Sequence, residues 1–551
     1  MKKNVKFGLI FLFGVSFLSF FNAPDKQWAI RYDAWSPSGG MQQTQDGGYI
    51  VPLEGYLVKI SAAGFIEWQY TYPGHTTNSV ASTLEGGCIA AGETRSYYGK
   101  SLDISVMKLS AWGEVEWQKS YNSPYDDLRK EVAHSIQQTN DGGYIVAGYA
   151  LEYGPWNSTS HILFLKLTSS GEQEWHQEYT YRTFEGLNQS FSIQQTSDNG
   201  FIAVGFVGAI RHEERLDICI LKLSPQGEIE WIKLYGGERR EEAYSIQQTA
   251  DGGYIVAGNE SSFPGQRGAL ILKLSFDGQI EWQKSYKRDV PICANYICQT
   301  PDGGYAVAGS GYNRTGIWFL KLAQDGAVEW QKDFDRETNG AAYSIQPLDE
   351  GGYAVYAGIE HPFWFTDHYN YFDSPLVLKL DASGEISDSC FLIQDTNAAP
   401  LNTDIVPQEI LVMDGQPSHT DYFVEEKDIE QRAQTKEFTL LCGEADLNSH
   451  FPPINFYGEK VFNRSLSQAE YLNILSWEEN PRNAQILKYK IYQLENGFKN
   501  LIAELDGRVL KFWHHNVNKN EEQKYLIVSI DDQDRESNPA FLKIHLLFSF
   551  H

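Results

Sequence analysis

Aromatic side chains are the residues of this sequence whose type and position could bind a ligand. They cluster in long segments, such as 93–102, 149–161 and 359–374, which separate short and strongly repeated motifs. Rings beside Asp, Asn and Arg can stack on a sugar or capture a peptide, because they offer an apolar face next to polar groups. The same rings could instead pack these segments onto the scaffold beneath them. The candidate ligand-binding residues are Tyr97, Tyr98, Tyr153, Trp156, Tyr312, Trp364 and Tyr369.

Motifs for covalent or metal chemistry are missing from the sequence. His361, Asp367 and His368 could form a metal site or an acid/base group, but their spacing matches no zinc motif, which favours solvated loop side chains. No GxSxG, HExxH or P-loop motif occurs, and no two cysteines are adjacent. The sequence therefore predicts no catalytic residue, no metal and no cofactor. A glycosidase needs only two carboxylates, so a chain with 72 Asp and Glu residues leaves a carbohydrate-active enzyme as the alternative.

Four short motifs recur in the same order along most of the chain. A strand of the SIQQT type runs through a Gly-rich turn into YIVAG, LKL follows, and an SxxGE turn leads into a strand that carries Trp. Units of about 40–58 residues with four short strands are typical of β-propeller blades, and the count of units predicts seven blades. The tryptophans expected to have a structural role are Trp28, Trp68, Trp117, Trp175, Trp231, Trp282 and Trp330.

The phase of the repeat predicts how the ring closes. The series opens with the Trp strand at 28–32, whereas the last unit, which contains Lys379, has no Trp strand of its own. We therefore expect the N-terminal strand to complete the last blade and to remove a free sheet edge. This order places SIQQT innermost and the Trp strand at the rim. One Gln of each pair, such as Gln137 and Gln138, should face the central channel, where it contacts a ligand or bonds to backbone or water. The Asp of each DGG turn, such as Asp141, should make local turn hydrogen bonds.

The repeat resembles known propeller repeats. LSPQGEIEW at 223–231 and its copies resemble the Trp-docking motif of quinoprotein-type propellers, in which Trp packs between blades. The TxDGGY hairpin is similar to the Asp-box of sialidase-like propellers. Over about residues 28–385, the unit resembles the DGGYIVAG-type repeats of secreted bacterial surface proteins, some of them described as lectin-domain or endoglucanase-like. The resemblance implies a fold, and it says little about activity because one fold hosts many functions.

The segments at 1–23 and 386–450 lie outside the propeller, which is expected to span 24–385. Three lysines followed by an apolar run at 7–21 predict a signal peptide over residues 1–23, with a retained membrane anchor as the alternative. Residues 386–450 form an extension or linker. Within it, Cys390 and Cys442 are the best candidates for a disulfide in an exported protein.

The C-terminal segment, 451–551, resembles a fibronectin type III domain. The resemblance rests on PPINFYGEK, on YLNILSWEENP and on the later YLIVSIDD stretch. It implies that Trp477 is a core residue and that Tyr525 occupies the corner tyrosine position. The predicted fold class is therefore all-β, a seven-bladed β-propeller followed by a fibronectin type III β-sandwich.

Composition narrows the possible partners. A formal net charge of −27 and a pI near 4.9 argue against a nucleic-acid partner, because phosphate contacts need a basic face. Beyond the N-terminal run, no apolar stretch reaches the length of about 20 residues that spans a bilayer. We expect an exported monomer, secreted, periplasmic or at the cell surface, that binds a glycan or a protein on the long-loop face without catalysis. The alternative is a glycoside hydrolase or lyase that uses carboxylates on the same face.

Overall fold

The computed structural model consists of β-strands and tight turns. It describes residues 11–12, 27–32, 39–53, 55–64, 66–72, 74–95, 102–122, 129–153, 158–180, 186–209, 216–236, 240–263, 266–287, 291–311, 316–334, 340–349, 351–365, 368–386, 393–395, 399–402, 406–409, 423–426, 432–433, 438–443, 454–464, 469–479, 486–495, 498–515, 517, 523–531 and 540–544. Two compact units are present, a larger one containing 25–59 and 69–443 and a smaller one containing 444–551. Within the described ranges, no helix has the length and apolar character needed to cross a bilayer.

The larger unit is built from antiparallel four-stranded sheets that repeat along the chain, which confirms the all-β prediction and the four-stranded repeat. Two short strands precede the first sheet, β1 (Phe11–Leu12) and β2 (Trp28–Tyr32). The first three sheets are formed by β3 (Gln42–Gln43), β4 (Tyr49–Leu53), β5 (Tyr56–Ile60), β6 (Ile66–Thr71); β7 (His75–Ser82), β8 (Cys88–Arg95), β9 (Leu102–Leu109), β10 (Val115–Asn122); and β11 (Arg129–Gln138), β12 (Tyr144–Tyr153), β13 (Ser158–Leu167), β14 (Gln173–Tyr179). The next three are formed by β15 (Gly186–Gln195), β16 (Phe201–Ala209), β17 (Leu216–Leu223), β18 (Ile229–Gly236); β19 (Arg240–Gln248), β20 (Tyr254–Phe263), β21 (Gln266–Leu274), β22 (Ile280–Lys287); and β23 (Ile292–Gln299), β24 (Tyr305–Gly311), β25 (Ile317–Leu322), β26 (Val328–Phe334).

The last sheet of the repeat takes its fourth strand from the N-terminal region. It contains β27 (Gly340–Pro347), β28 (Tyr353–Phe365) and β29 (His368–Leu380). Strand β2 pairs antiparallel with β29, with Trp28 opposite Lys379, which is the pairing that the phase of the repeat predicts. The first and last sheets are also neighbours, because the Met41 amide donates to Ser344 Oγ at 3.0 Å.

Paired glutamines join the first strands of neighbouring sheets, which we call the inner strands: β3, β7, β11, β15, β19, β23 and β27. Gln137 Oε1 accepts a hydrogen bond of 2.8 Å from the Gln195 amide in the following inner strand. Gln138 Oε1 accepts one of 2.7 Å from the Leu84 amide in the preceding sheet. Gln194 and Gln247 repeat the first arrangement. The Gln pair, which occurs in four of the repeats (42–43, 137–138, 194–195 and 247–248), thus connects neighbouring sheets through hydrogen bonds to the backbone.

Aromatic residues of each fourth strand pack against the following sheet. The Trp231 ring meets the edge of Tyr254 at 6.1 Å between centroids, and Tyr235 Oη donates to the Gly278 carbonyl at 2.7 Å. Equivalent ring pairs are Trp117–Tyr144, Trp175–Phe201, Trp282–Tyr305 and Trp330–Tyr353. Trp68 is buried as well. The side chain of Trp28 lies outside the described part of the chain.

In five of the LKL motifs a buried lysine forms an ion pair with the Asp of the preceding Gly-rich turn, whose own side chain is partly exposed. Lys166 is 3% exposed, and its Nζ lies 2.9 Å from Asp141 Oδ2 and 3.3 Å from Glu174 Oε2. Burial alone would raise the pKa of Asp141, but bonds from Thr139, Lys166 and the Gly143 amide lower that pKa to about 2. The DGG aspartate therefore makes the expected turn bonds and also holds the lysine. The same pair recurs at Asp46–Lys59, Asp198–Lys222, Asp251–Lys273 and Asp302–Lys321.

Six short strands between residues 393 and 443 pair with outer strands of the sheets, and we call these six strands the strap. Its strands are β30 (Ile393–Asp395), β31 (Ala399–Asn402), β32 (Val406–Glu409), β33 (Phe423–Glu426), β34 (Arg432–Ala433) and β35 (Phe438–Gly443). In chain order they pair antiparallel with β26, β22, β18, β10, β6 and β2. The strap thus visits six of the seven sheets in reverse order and adds an outer strand to each of these six, whereas β14 of the third sheet pairs with no strap strand among the described residues. Cys390 and the Cys442 side chain lie outside the described residues, so their disulfide stays a prediction.

The smaller unit consists of two antiparallel sheets. One contains β36 (Ile454–Arg464), β37 (Ala469–Glu478) and β40 (Lys511–His514), and the other contains β38 (Ile486–Glu495), β39 (Phe498–Asp506), β41 (Gln523–Asp531) and β42 (Ala540–Ile544). Trp477, Tyr489 and Tyr525 are buried in one cluster drawn from both sheets. The Tyr525 hydroxyl accepts a hydrogen bond of 2.6 Å from Asn473 Nδ2.

Because His75 is buried, we expect the free energy of unfolding to fall as the pH drops below neutral. His75 in β7 is 3% exposed, its Nδ1 lies 2.8 Å from Ser105 Oγ, and burial lowers its pKa to about 4. The unfolded chain, with a His pKa of about 6.5, binds the proton first, so the free energy of unfolding should fall by roughly 3 kcal/mol between pH 7 and 4 on this account. Urea unfolding at pH 7.5 and 4.5 measures this, and His75→Asn should reduce the difference. An unchanged difference would contradict the assignment to His75.

Candidate functional site

A cavity of about 810 Å³ lies among the inner strands of the larger unit. Residues of every inner strand line it, and Glu93, Tyr149 and Ser310 are added from the second strands of three sheets. These three residues lie in the half of each second strand that leads into a long connection. Lining residues of β11 run from Lys130 to Gln137, so the cavity extends along the inner strands from the Gly-rich turns toward the long connections.

In several sheets, a β-bulge in the inner strand places one side chain at the cavity wall. In β11 the pairing register shifts between Ala133 and Ser135, so His134 is the extra residue. Bulges re-aim a side chain relative to the regular alternation of a strand, and they are common beside active sites. We call the equivalent lining residues the bulge residues: Asn78, His134, Phe191, Tyr244, Asn295 and Tyr343.

The glycine of YIVAG explains why the bulge forms at this point of the repeat. Gly148 faces the bulge of β11, and a Cβ atom there would lie 1.9 Å from the Val132 carbonyl oxygen. Gly205 and Gly258 are crowded in the same way by the Gln189 and Glu242 carbonyl oxygens. Only glycine allows this approach of the two backbones. A constant glycine thus supports a bulge whose own residue varies from sheet to sheet.

The polar bulge residues are each tied to the next sheet. Asn78 Nδ2 donates to the Ala133 carbonyl at 3.0 Å, and Asn295 Nδ2 donates to the Ala342 carbonyl at 2.9 Å. His134 Nδ1 lies 3.1 Å from the Ser190 carbonyl oxygen. Because a carbonyl only accepts, Nδ1 carries the proton. Burial lowers the pKa of His134 to about 4, so its ring is neutral at neutral pH and Nε2 is a hydrogen-bond acceptor.

Three consecutive bulge residues form an aromatic wall, which we define as His134, Phe191 and Tyr244. His134 stacks on Phe191 with 4.8 Å between centroids, and Phe191 meets Tyr244 edge-on at 5.3 Å. The Tyr244 hydroxyl donates to Glu242 Oε2 at 3.0 Å, which fixes the orientation of its ring. Tyr149 adds a further ring 5.2 Å from His134. These rings thus give one side of the cavity an apolar lining.

A polar corner, defined as Asn78, Glu93 and Lys130, lies beside this wall. Asn78 and Glu93 belong to the preceding sheet, and Lys130 shares β11 with His134. Asn78 Nδ2 donates to Glu93 Oε2 at 2.6 Å. Burial raises the pKa of Glu93, although Asn78 and Lys130 partly offset this. Within the described lining Glu93 is the one carboxylate, so these residues do not form the carboxylate pair of a glycosidase. Over the same described ranges, no group of three or more His, Cys, Asp or Glu residues could hold a metal ion.

The aromatic residues predicted from the sequence are not those that line this cavity in the described structure. Tyr153 ends β12 with its side chain 51% exposed. Trp364 and Tyr369 are paired in the hairpin of β28 and β29, and their side chains lie outside the described residues. Tyr97, Tyr98, Trp156 and Tyr312 also lie outside them. The bulge residues were missed, although the sequence carries a signal: the residue just before the SIQQT motif changes between Asn, His, Phe and Tyr from repeat to repeat.

Comparisons with known proteins do not assign this chain to a family. No protein-family model matches the chain, and no curated protein matches its sequence. The PQQ-bound aldose sugar dehydrogenase from Streptomyces coelicolor is 13% identical, with 65% of this chain and 99% of that chain covered and a TM-score of 0.32. A structure of FN3tt mut is 18% identical, with 17% and 91% covered and a TM-score of 0.14. The glycoside hydrolase domain of Endo-D from Streptococcus pneumoniae R6 is 9% identical, with 58% and 39% covered and a TM-score of 0.14. TM-scores this low support no conclusion about the fold or the function of this chain.

Proposed function

We propose that this protein is an exported, non-catalytic glycan-binding protein. Its scaffold is a seven-bladed β-propeller with a C-terminal fibronectin type III module, and its ligand enters the central cavity from the long-loop end. The repeat, the β2–β29 pairing and the hydrogen bonds between the first and last sheets support the propeller. The lysine-rich and apolar N-terminal residues support export.

The observation that carries the proposal is the aromatic wall in a cavity that also presents amides. A pyranose ring has an apolar face that stacks on aromatic rings and a rim of hydroxyls that needs donors and acceptors. The wall supplies the rings, and Asn78 and Asn295 supply amides on other sheets. A volume of about 810 Å³ is in the usual range for a site that encloses a small ligand.

A glycan and polysaccharide binding screen on residues 24–551 tests the proposal. We expect binding that Phe191→Ala weakens by about 10- to 100-fold, because the loss of a buried ring contact costs roughly 1.5–3 kcal/mol. Tyr244→Ala should act in the same direction. Phe276→Ala is the matched control, since Phe276 is 73% exposed on a turn outside the cavity, and it should bind like the parent protein.

Other outcomes of the screen point elsewhere. Product release in the same wells would support the alternative, a glycoside hydrolase or lyase. Binding that survives both cavity variants would place the ligand on the long loops, where Trp156 and Trp364 are the next residues to change. No binding to any glycan would overturn the proposal and leave a protein ligand as the next candidate.

A further inference from the structure

The polar corner contains two oppositely charged residues, Glu93 and Lys130, which form no ion pair with each other in the described structure. Glu93 receives the Asn78 amide on Oε2, and no described group bonds to its Oε1. Lys130 Nζ lies 6.0 Å from the centroid of the Tyr149 ring, and no described carboxylate lies within 4.0 Å of it. Charged groups at a partly buried wall are costly unless a partner satisfies them. Both groups are therefore placed to bind something that enters the cavity.

The charge balance of the lining indicates what that partner is. Glu93 and Lys130 are the charged lining residues in the described structure at neutral pH, because His134 is neutral, so their charges cancel. The chain as a whole carries −27. An anionic ligand is opposed by this field, and because the charges of Glu93 and Lys130 cancel, the lining offers a cationic ligand no net charge to bind. A neutral ligand that offers both donors and acceptors meets neither obstacle.

We propose that Glu93 and Lys130 are the specificity-determining pair of the cavity and select a neutral sugar by binding its adjacent hydroxyls. Glu93 Oε1 accepts from one hydroxyl, and Lys130 Nζ donates to the oxygen of another, while the aromatic wall stacks on the apolar face. Asn78 holds the carboxylate of Glu93 in place through the bond of 2.6 Å. This inference rests on the proposed function, since it names the class of glycan for the same site.

Tetrasaccharides that differ in charge test the proposal by isothermal calorimetry on residues 24–551. The neutral probes are cellotetraose, xylotetraose and mannotetraose, the cationic probe is tetraglucosamine, and the anionic probe is tetragalacturonate. We expect a neutral probe to bind at least about tenfold more tightly than either charged probe. Glu93→Gln should shift the affinity ratio about tenfold toward tetragalacturonate, and Lys130→Gln should shift it similarly toward tetraglucosamine.

A matched control and the folding of each variant make the result decisive. Lys284→Gln removes a lysine with a similar ring contact, Nζ lying 5.7 Å from the Trp282 centroid, but outside the cavity. It should leave every ratio unchanged, and thermal melts should show all variants folded. A parent protein that prefers a charged probe, or cavity variants that leave the ratios unchanged while Phe191→Ala abolishes binding, would overturn this inference and leave the proposed function intact. If the parent protein binds none of the probes and no glycan in the screen, both this inference and the proposed function are overturned.

Discussion

Removing both carboxylates around Lys166 is expected to lower the free energy of unfolding by about 3–5 kcal/mol, the usual cost of leaving a buried charge unpaired. The variant is Asp141→Asn with Glu174→Gln, which keeps the shape of both side chains. Lys166 is 3% exposed, so water cannot replace the lost partners, and its remaining bond is to the Leu167 carbonyl at 3.2 Å. Urea unfolding followed by tryptophan fluorescence measures the change.

A third substitution separates charge from packing in this prediction. Adding Lys166→Met to the double variant removes the unpaired charge and keeps an apolar chain of similar length, so most of the lost stability should return. Asp506→Asn, which breaks the exposed pair with Arg508 in the smaller unit, is the control and should change nothing measurable. If the triple variant is no more stable than the double variant, the buried ion pair is not the source of the effect.

The sequence predicts the four-stranded repeat because the relevant signals are local. The Gly-rich turn after Thr139 and the alternation of SIQQT are set within a few residues, and the pairing of Trp28 with Lys379 follows from counting motifs. The strap could not be predicted in the same way. Five of its strands have only two to four residues, and only β35, which includes the strand-like stretch 437–441 evident in the sequence, carries an apolar run. Such strands form because outer strands elsewhere in the chain present unpaired backbone groups.

The candidate site was harder to predict than the fold. Aromatic residues on long connections are a reasonable expectation, because loops on a rigid scaffold commonly carry binding residues. The cavity wall instead depends on bulges, and a bulge is a mismatch in residue count between two strands, which a single strand does not reveal. His134 is the extra residue only because Ala133 and Ser135 pair with adjacent residues, Gly148 and Ala147. The one local signal is that the residue before SIQQT changes between Asn, His, Phe and Tyr, while the positions on either side of it are mostly Ala and Ser.

Removing the strap is expected to make the larger unit aggregate. A chain of residues 24–386 exposes the outer edges of β26, β22, β18, β10, β6 and β2, which the strap pairs in the intact protein. Open edges pair with other chains, so we expect oligomers in size-exclusion chromatography. The melting temperature should fall by roughly 5 °C or more, because the lost strand pairs amount to several kcal/mol and each kcal/mol corresponds to about 1–2 °C in a unit of this size.

The matched control is a chain of residues 24–443, which keeps the strap and lacks the smaller unit. It should stay monomeric and keep the melting temperature of the larger unit, because the larger unit is compact by itself. The comparison also tests closure of the ring, since β2 lies between β29 and β35 and loses one of its two partners when the strap is removed. Hydrogen exchange should therefore show faster exchange of the amides at Ala29 and Ile30 in the 24–386 chain than in the 24–443 chain. If the two chains show equal solubility and equal protection at these amides, the strap does not hold the N-terminal strand in place, and closure rests on the bonds of the inner strands alone.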